Sequence, residues 1–263
     1  MFVVTWLVLT ACGSRPSPAE ENSGELIVFA AASLTEAFDQ AARQFELDNP
    51  GVDVVLNLAG SQQLAHQLSQ GAPADVFASA NEEQVKAAIE AGRVKSGSQQ
   101  TFTNNRLAVI IPANNPAGLR TLSDLVRPGL QFVLAAPEVP AGGYAALFLD
   151  RAGTDPGYGP IFRDGVLANV VSYEENVRAV LSKVRLGEAD VGIVYSSDVA
   201  SENVDDIYQL PVPEHLNIEA GYVIAPVADS KQPALARQFI DYLLGESGQE
   251  LLESNGFSPA QTE

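Results

Sequence analysis

The sequence predicts an α/β fold with two lobes, each a mixed, mainly parallel sheet flanked by helices, and a cleft between the lobes. From Glu25 onward, short apolar strand patterns alternate with helix patterns, an order typical of parallel sheets with right-handed crossovers. The chain has 263 residues, which is long enough for two lobes with cores of their own. A strand pattern over residues 216–226 predicts that the chain returns to the first lobe near its end.

Three strand–helix units in succession predict the first lobe. Their strand patterns are Leu26–Phe29, Val52–Leu58 and Ala74–Ser79, and Asn81 is expected to cap the helix after the third strand. In parallel sheets ligands bind beyond the carboxyl ends of the strands, where Ser33 and Ser61 both lie.

Ser33 has two interpretations. It lies three residues before Glu36, the spacing of a capping box, so the simpler one is that its side chain only caps the following helix. The other is that the free N–H groups and the partial positive charge at this helix start hold an anion.

The strand pattern Leu107–Ile111 predicts the passage into the second lobe. There, a strand over residues 131–135 precedes a helix from about Tyr144 to Ala152, and residues 153–165, with four Gly and two Pro, are expected to form a loop. Another strand is predicted at Val191–Tyr195, and residues 234–254 are predicted to form a closing helical pair. The predicted division is residues 25–108 with 216–263 for the first lobe, and 109–215 for the second.

The charge balance excludes several classes of function. There are 33 acidic and 15 basic residues, a net charge of −18, which would be repelled by nucleic acid and by acidic membrane surfaces. No enzyme is expected, because no G-x-S-x-G elbow is present and His66 and His215 lie outside any nucleophile constellation. Neither histidine has a Cys or carboxylate at metal-ligand spacing, so no metal cation and no cofactor are expected.

Residues 1–24 are interpreted as a targeting segment followed by a tether. Leu9-Thr10-Ala11-Cys12 follows a short apolar stretch and resembles the lipobox of bacterial lipoproteins, in which the cysteine is acylated. Residues 1–11 are then a lipoprotein signal peptide, and residues 12–24, rich in Ser, Pro and Glu, are a flexible tether. The alternative is a lone buried cysteine near the terminus.

Four blocks of sequence occur in a fixed order along residues 25–258. They are Ala30-Ala-Ala-Ser-Leu-Thr35, Gly71-Ala-Pro-Ala-Asp-Val-Phe77, Val139-Pro-Ala-Gly-Gly-Tyr144 and Gly187-Glu-Ala-Asp-Val-Gly-Ile-Val-Tyr-Ser-Ser-Asp198. Together they resemble the periplasmic molybdate-binding proteins of ABC transporters. The resemblance implies a type II periplasmic solute-binding protein fold that closes on molybdate or tungstate and delivers it to the permease subunits in the membrane.

Matched position by position, the resemblance places the oxyanion contacts on five residues, Ser33, Ser61, Ala141, Val177 and Tyr195. It implies hydroxyl and backbone N–H donors from the two serines, backbone N–H donors from the alanine and valine, and a hydroxyl donor from the tyrosine. Apart from the resemblance, Tyr195 is a candidate core aromatic with a satisfied hydroxyl. Gln62-Gln63 stand where relatives have small residues, and Arg178 is interpreted as part of a solvated helix face.

These expectations describe a monomeric, extracytoplasmic binding protein, anchored to the cell membrane by a lipid on Cys12. Its ligand is a tetrahedral oxyanion held by neutral donors, none of which titrates between about pH 6 and 8. The nearest alternative is a binding lipoprotein for sulfate or a small organic acid, for which an Arg in the ligand turns is expected. The turns at Ser33, Ser61 and Ala141 contain none.

Overall fold

The structure, a computed structural model, describes residues 24–200 and 206–260. The predicted signal peptide, Cys12 and nearly all of the predicted tether lie outside the described residues. In chain order, the strands are β1 (Gly24–Ala31), β2 (Val52–Ala59), β3 (Val76–Ser79), β4 (Gln100–Pro112), β5 (Phe132–Ala135), β6 (Val170–Glu174), β7 (Val191–Tyr195), β8 (Ile207–Leu210), β9 (Glu219–Pro226) and β10 (Ser258–Pro259).

The helices follow the strands in the alternating order that the sequence predicts. They are α1 (Thr35–Asp48), α2 (Ser61–Ser69), α3 (Glu82–Glu90), α4 (Pro140–Thr154), α5 (Pro160–Ala168), α6 (Val177–Arg185), α7 (Ser196–Ala200), α8 (Pro233–Leu244) and α9 (Glu246–Ser254), with short 3-10 helices at Ala32–Leu34 and Leu122–Val126. None of the described helices combines the length and apolarity needed to cross a membrane.

The strand order β2-β1-β3-β9-β4-β7-β5-β6 places two parallel groups on either side of the long strand β4. In the first lobe β1 pairs in parallel with β2 and β3, and in the second lobe β5 pairs in parallel with β6 and β7. Strand β4 pairs with β9 up to Arg106 and with β7 from Leu107 onward. This strand therefore joins the two lobes, and the predicted α/β fold with two lobes is confirmed.

Strand β1 shows why the apolar run at the start of the domain forms a central strand. Leu26, Val28 and Ala30 belong to one buried apolar cluster, whereas Phe29 belongs to another. Alternate side chains of a strand point to opposite faces, so both faces of β1 are covered. Behind it, Phe38 of α1 makes edge-on ring contacts with Phe102 and Phe239, with centroids 6.1 and 6.0 Å apart.

Two local predictions are wrong. Residues 160–165, which were expected in a loop, lie in helix α5, where Pro160 occupies the first turn and Phe162 and Val166 bury one face. Ser33 does not cap α1: the residue before this helix is Leu34, and the helix start has no side-chain cap. Ser33 instead contacts the hydroxyl of Tyr222, and Glu36 pairs with Arg178.

Candidate functional site

All five residues that the resemblance selects line a single small cavity between the two lobes. Its complete lining is Ala31, Ala32, Ser33, Gly60, Ser61, Ala80, Val139, Pro140, Ala141, Asn176, Val177 and Tyr195. The cavity volume is about 20 Å³, only slightly more than the roughly 10–15 Å³ that one water molecule requires. Such a space suits one compact group of atoms and is too small for an extended organic ligand.

Four helix starts from both lobes converge on this cavity. Ser33 lies in the 3-10 helix that leads into α1, Ser61 is the first residue of α2, Ala141 is the second of α4, and Val177 is the first of α6. N–H groups in the first turn of a helix have no acceptor within that helix, and the helix dipole adds partial positive charge there. The backbone alone therefore gives the cavity several donors and a positive potential.

The close approach of α4 to the strand end before it requires glycine. A Cβ atom on Gly142 would lie 2.0 Å from the carbonyl oxygen of Ala136, a distance that real side chains do not adopt. Glycine at this position lets the first turn of α4, with Ala141, fold back against the end of β5. This explains the Pro-Ala-Gly-Gly sequence in the third block.

Each serine hydroxyl has a hydrogen-bond partner within the described residues. The backbone N–H of Ala80 donates to Ser61 Oγ at 3.1 Å, and the hydroxyl of Tyr222 lies 2.7 Å from Ser33 Oγ. The Ala80 N–H uses only a lone pair of Ser61 Oγ, so the hydroxyl hydrogen of Ser61 remains available. Ser61 can therefore donate to a ligand in the cavity.

Tyr195 provides the clearest sign that the cavity is built for a ligand. Its side chain is buried, yet its hydroxyl has no hydrogen-bond partner among residues 24–200 and 206–260. Burial raises the pKa of this hydroxyl well above its ordinary value, so it stays protonated and can donate. An unpaired buried hydroxyl costs free energy unless a ligand satisfies it.

The lining that the structure describes contains no charged side chain. The one amide in it, Asn176, caps α6 by accepting from the backbone N–H of Ala179, so its oxygen is engaged. Within the described chain, no cluster of His, Cys, Asp or Glu could hold a metal ion. His66 is exposed, and His215 contacts Asp155 far from the cavity. The arrangement can bind an acceptor-rich ligand, and its lining has neither a side-chain base nor an activated nucleophile.

Arg178 is not on a solvated face, so that prediction is wrong. Its guanidinium group pairs with both carboxylate oxygens of Glu36 across the cleft, and its Nη1 lies 3.7 Å from Asp198 Oδ1. The side chain is only 22% exposed. Its positive charge is therefore paired with the Glu36 carboxylate, beside the carboxyl group of Asp198, and it does not line the cavity.

Asp198 is a titratable residue that contacts the backbone of Tyr195 and lies outside the lining of the cavity. This residue is fully buried; its Oδ2 accepts the backbone N–H of Tyr195 at 2.9 Å, whereas its Oδ1 has no hydrogen-bond partner in the described part of the chain. Burial raises the pKa of Asp198 to about 7, despite the opposing effects of the Tyr195 N–H and Arg178. No sequence pattern marks this group as titratable near neutral pH, because its raised pKa comes from burial in the folded chain.

Further contacts show that the two lobes meet across the cleft. The side-chain nitrogen of Gln62 donates to the carbonyl oxygen of Glu175 at 2.8 Å, and that of Gln63 donates to its carboxylate at 3.0 Å. A Cβ atom on Gly60 would lie 2.7 Å from the same carbonyl oxygen. The two glutamines that depart from the family pattern thus join the first lobe to the second beside the cavity.

Comparisons with known proteins agree with this geometry. The family model described as bacterial extracellular solute-binding protein matches residues 26–258. The molybdate-binding protein ModA of Mycobacterium tuberculosis H37Rv is 40% identical over 256 residues, which cover 95% of this chain and 92% of that protein.

Two solved structures share the fold at lower sequence identity. The periplasmic molybdate-binding protein of Azotobacter vinelandii has a TM-score of 0.75 and 22% identity, over 90% of this chain and 100% of that one. The sulfate-binding protein SubI of Mycobacterium tuberculosis H37Rv has a TM-score of 0.79 and 19% identity, over 90% and 87%. Since the two are named for different ions, the fold alone does not select the ligand.

The raised pKa of Asp198 predicts how stability changes with pH. The folded chain holds this proton up to about pH 7, whereas the unfolded chain releases it near the ordinary value of 3.8, so this contribution to stability is lost as the pH rises through that window. Between about pH 5 and 8 the wild type should lose about 2 kcal/mol more of its free energy of unfolding than Asp198→Asn. Denaturant titrations of both proteins at the two pH values measure this difference.

The charged and polar groups around Asp198 are Arg178, Glu36, Tyr195 and Tyr222, and all four remain in the variant. Parallel losses of stability in the two proteins would show that Asp198 is already ionised at pH 5.

Proposed function

Since the chain belongs to the bacterial extracellular solute-binding protein family, we propose that it binds molybdate, and also tungstate, outside the cytoplasm and delivers the ion to the permease of an ABC importer. The observation that carries this proposal is the small cavity between the lobes whose lining has no charged side chain, with the hydroxyl of Tyr195 buried and unpaired among the described residues. The 40% identity to a protein named for molybdate binding supports this ion. On this proposal the five predicted residues, Ser33, Ser61, Ala141, Val177 and Tyr195, are the oxyanion contacts.

The physical requirement is to replace the water around a dianion without supplying a counter-charge. Stripping water from a charged group is costly unless its oxygens are hydrogen-bonded. Three hydroxyls and the N–H groups of several helix starts converge on the cavity, and hydrogen bonds to an ionised acceptor are about twice as strong as neutral ones. Fixed neutral dipoles can therefore hold the ion while each oxygen is satisfied.

Size and hydrogen-bond polarity select the ion. Sulfate has the same shape and charge as molybdate but shorter bonds to oxygen. In a rigid pocket sized for molybdate, some donors would therefore lie too far from the sulfate oxygens to form hydrogen bonds. Phosphate is partly protonated near neutral pH and would bring a donor into a cavity lined by donors. For an organic acid an Arg is expected in the ligand turns, and the turns at Ser33, Ser61 and Ala141 contain none. Sulfate remains the second candidate, because a sulfate-binding protein shares the fold.

Closure of the lobes completes the site, since Ser33 and Ser61 belong to the first lobe and the other three contacts to the second. The cross-cleft contacts of Gln62, Gln63 and Arg178 hold this closed arrangement. A permease that engages both lobes can thereby distinguish a loaded protein from an empty one.

The remaining parts of the proposal concern the chain outside and around the cavity. We place lobe 1 at residues 25–108 with 216–263 and lobe 2 at residues 109–215, and we expect a monomer. Residues 1–11 are the proposed lipoprotein signal peptide, Cys12 is the proposed lipidation site, and residues 12–24 are the proposed tether to the cell membrane.

Ligand identity is tested by calorimetric competition among molybdate, tungstate and sulfate. Molybdate at 100 times its dissociation constant should stabilise the folded chain by about 2.7 kcal/mol, and sulfate at the same concentration should do little. Thermal unfolding in each anion gives an independent measure. Equal stabilisation by sulfate would contradict selectivity for molybdate and favour sulfate, the second candidate, as the ligand.

The hydroxyl contacts are tested by Ser61→Ala and Tyr195→Phe. Each removes one hydrogen bond to a charged group, so each should cost about 1.5 to 3 kcal/mol, or roughly 10- to 150-fold in molybdate affinity. Ser69→Ala is the matched control, because Ser69 lies on the same helix as Ser61 and its hydroxyl bonds only the carbonyl of His66. Losses of molybdate affinity no larger than that of Ser69→Ala would show that these two hydroxyls do not contact the ion.

Membrane anchoring is tested by Cys12→Ser. If Cys12 is acylated, the wild type expressed in bacteria should enter the detergent phase of a partition experiment and the variant should stay in the aqueous phase. Recovery of wild-type protein in the aqueous phase with a free thiol at Cys12 would contradict the proposed anchor.

A further inference from the structure

Tyr222 lies immediately behind the cavity without being part of its lining. It belongs to β9, is fully buried, and its hydroxyl is 2.7 Å from Ser33 Oγ. It is remote from Ser33 in sequence, by 189 residues, and no motif marks it. Its ring packs edge-on against Tyr195, with centroids 5.7 Å apart. One buried tyrosine thus contacts two of the five proposed oxyanion contacts.

Asn105 on β4 continues this arrangement toward the strand that joins the lobes. Its Nδ2 donates to Ser197 Oγ at 2.7 Å and lies 3.4 Å from the Tyr222 hydroxyl. Its Oδ1 accepts from the backbone N–H of Arg106 at 2.9 Å and from the hydroxyl of Ser196 at 2.9 Å. Because backbone N–H groups can only donate, the oxygen of the amide must face Arg106, and the nitrogen must face Tyr222.

This orientation fixes one hydrogen-bond direction and favours a second. An amide nitrogen donates, so the Tyr222 oxygen accepts from Asn105. Either hydroxyl could donate in the bond between Tyr222 and Ser33, and our inference takes the arrangement in which the Tyr222 hydrogen points to Ser33 Oγ. Burial raises the pKa of Tyr222 well above its ordinary value, so this hydrogen is present at every physiological pH. Ser33 Oγ then accepts from behind, and its own hydrogen is directed into the cavity.

We propose that Tyr222, oriented by Asn105, is a positioning residue that fixes the Ser33 hydroxyl as a donor to the bound oxyanion. Hydrogen bonds in such a chain polarise one another, so the outermost hydroxyl becomes a stronger donor. With its own hydrogen directed into the cavity, Ser33 meets the ligand as a donor, which disfavours protonated anions such as hydrogen phosphate. The inference rests on the proposed function for the ligand class, a fully deprotonated tetrahedral oxyanion.

The test is a double-mutant cycle of Tyr222→Phe and Ser33→Ala with molybdate as the probe. Tyr222→Phe keeps the ring and its packing but removes the hydrogen bond to Ser33, and should weaken molybdate binding about 3- to 10-fold. In the Ser33→Ala background the same substitution should change affinity by less than about twofold, since the residue through which it acts is gone. Calorimetry measures the four affinities, and unfolding of the ligand-free proteins shows that each variant folds.

Tyr144→Phe is the matched control. Its ring also packs against Tyr195, with centroids 6.4 Å apart, but it makes no hydrogen bond to Ser33. It should leave the affinity unchanged. A structural role for Tyr222 would weaken binding equally in both Ser33 backgrounds, and that result, or no loss in either, would overturn the proposal.

A second variant covers the case in which Tyr222→Phe folds poorly. Asn105→Ala removes the donor that faces Tyr222 without adding a charge near the anion. The Tyr222 hydrogen is then no longer directed to Ser33, and the resulting loss of affinity should again disappear in the Ser33→Ala background.

Failure of the ligand assignment can be separated from failure of this inference. If wild-type protein binds sulfate more tightly than molybdate, the proposed ligand is wrong, and the same cycle repeated with sulfate still tests the role of Tyr222. Additive losses with the anion that binds tightest would contradict the inference alone.

Discussion

The structure depends on one requirement: an anion removed from water must have its oxygens hydrogen-bonded, and here no charged side chain lines the place where it would sit. Helix starts provide such donors without charge, because their first N–H groups have no partner in the helix. Parallel strands deliver those helix starts to one edge of each sheet. The mainly parallel sheets in both lobes are therefore what makes a neutral site possible.

Charge is kept near the cavity but away from its lining. Arg178 immediately follows Val177, yet its guanidinium group is held by Glu36 from the other lobe and faces Asp198. An arginine balanced in this way joins the lobes and leaves the anion to the dipoles. The net charge of −18 opposes the approach of any anion, so affinity has to come from contacts inside the cleft and not from long-range attraction. Added salt should then speed association by screening that repulsion.

Much of the fold could be predicted from sequence, because burial on both faces gives β1 and β7 an unmistakable apolar pattern. The helix α5 could not, since its Gly and Pro residues favour a loop locally, and only the packing of Phe162 and Val166 decides in favour of a helix. The proposed roles of Ala141 and Val177 lie in the backbone, so no side-chain pattern could select them and only the family resemblance did. No sequence pattern marks Tyr222 and Asn105, because their contacts join residues far apart in the chain. The raised pKa of Asp198 comes from its burial, which only the folded chain shows.

The central claim is that neutral donors alone surround the ion, and a crystal structure of the protein with bound molybdate tests it most directly. The account predicts molybdate oxygens within hydrogen-bond distance of the backbone nitrogens of Ala141 and Val177 and of the hydroxyls of Ser33, Ser61 and Tyr195, with Arg178 still paired to Glu36. An ion bound elsewhere, or an oxygen in direct contact with the Arg178 guanidinium group, would contradict it.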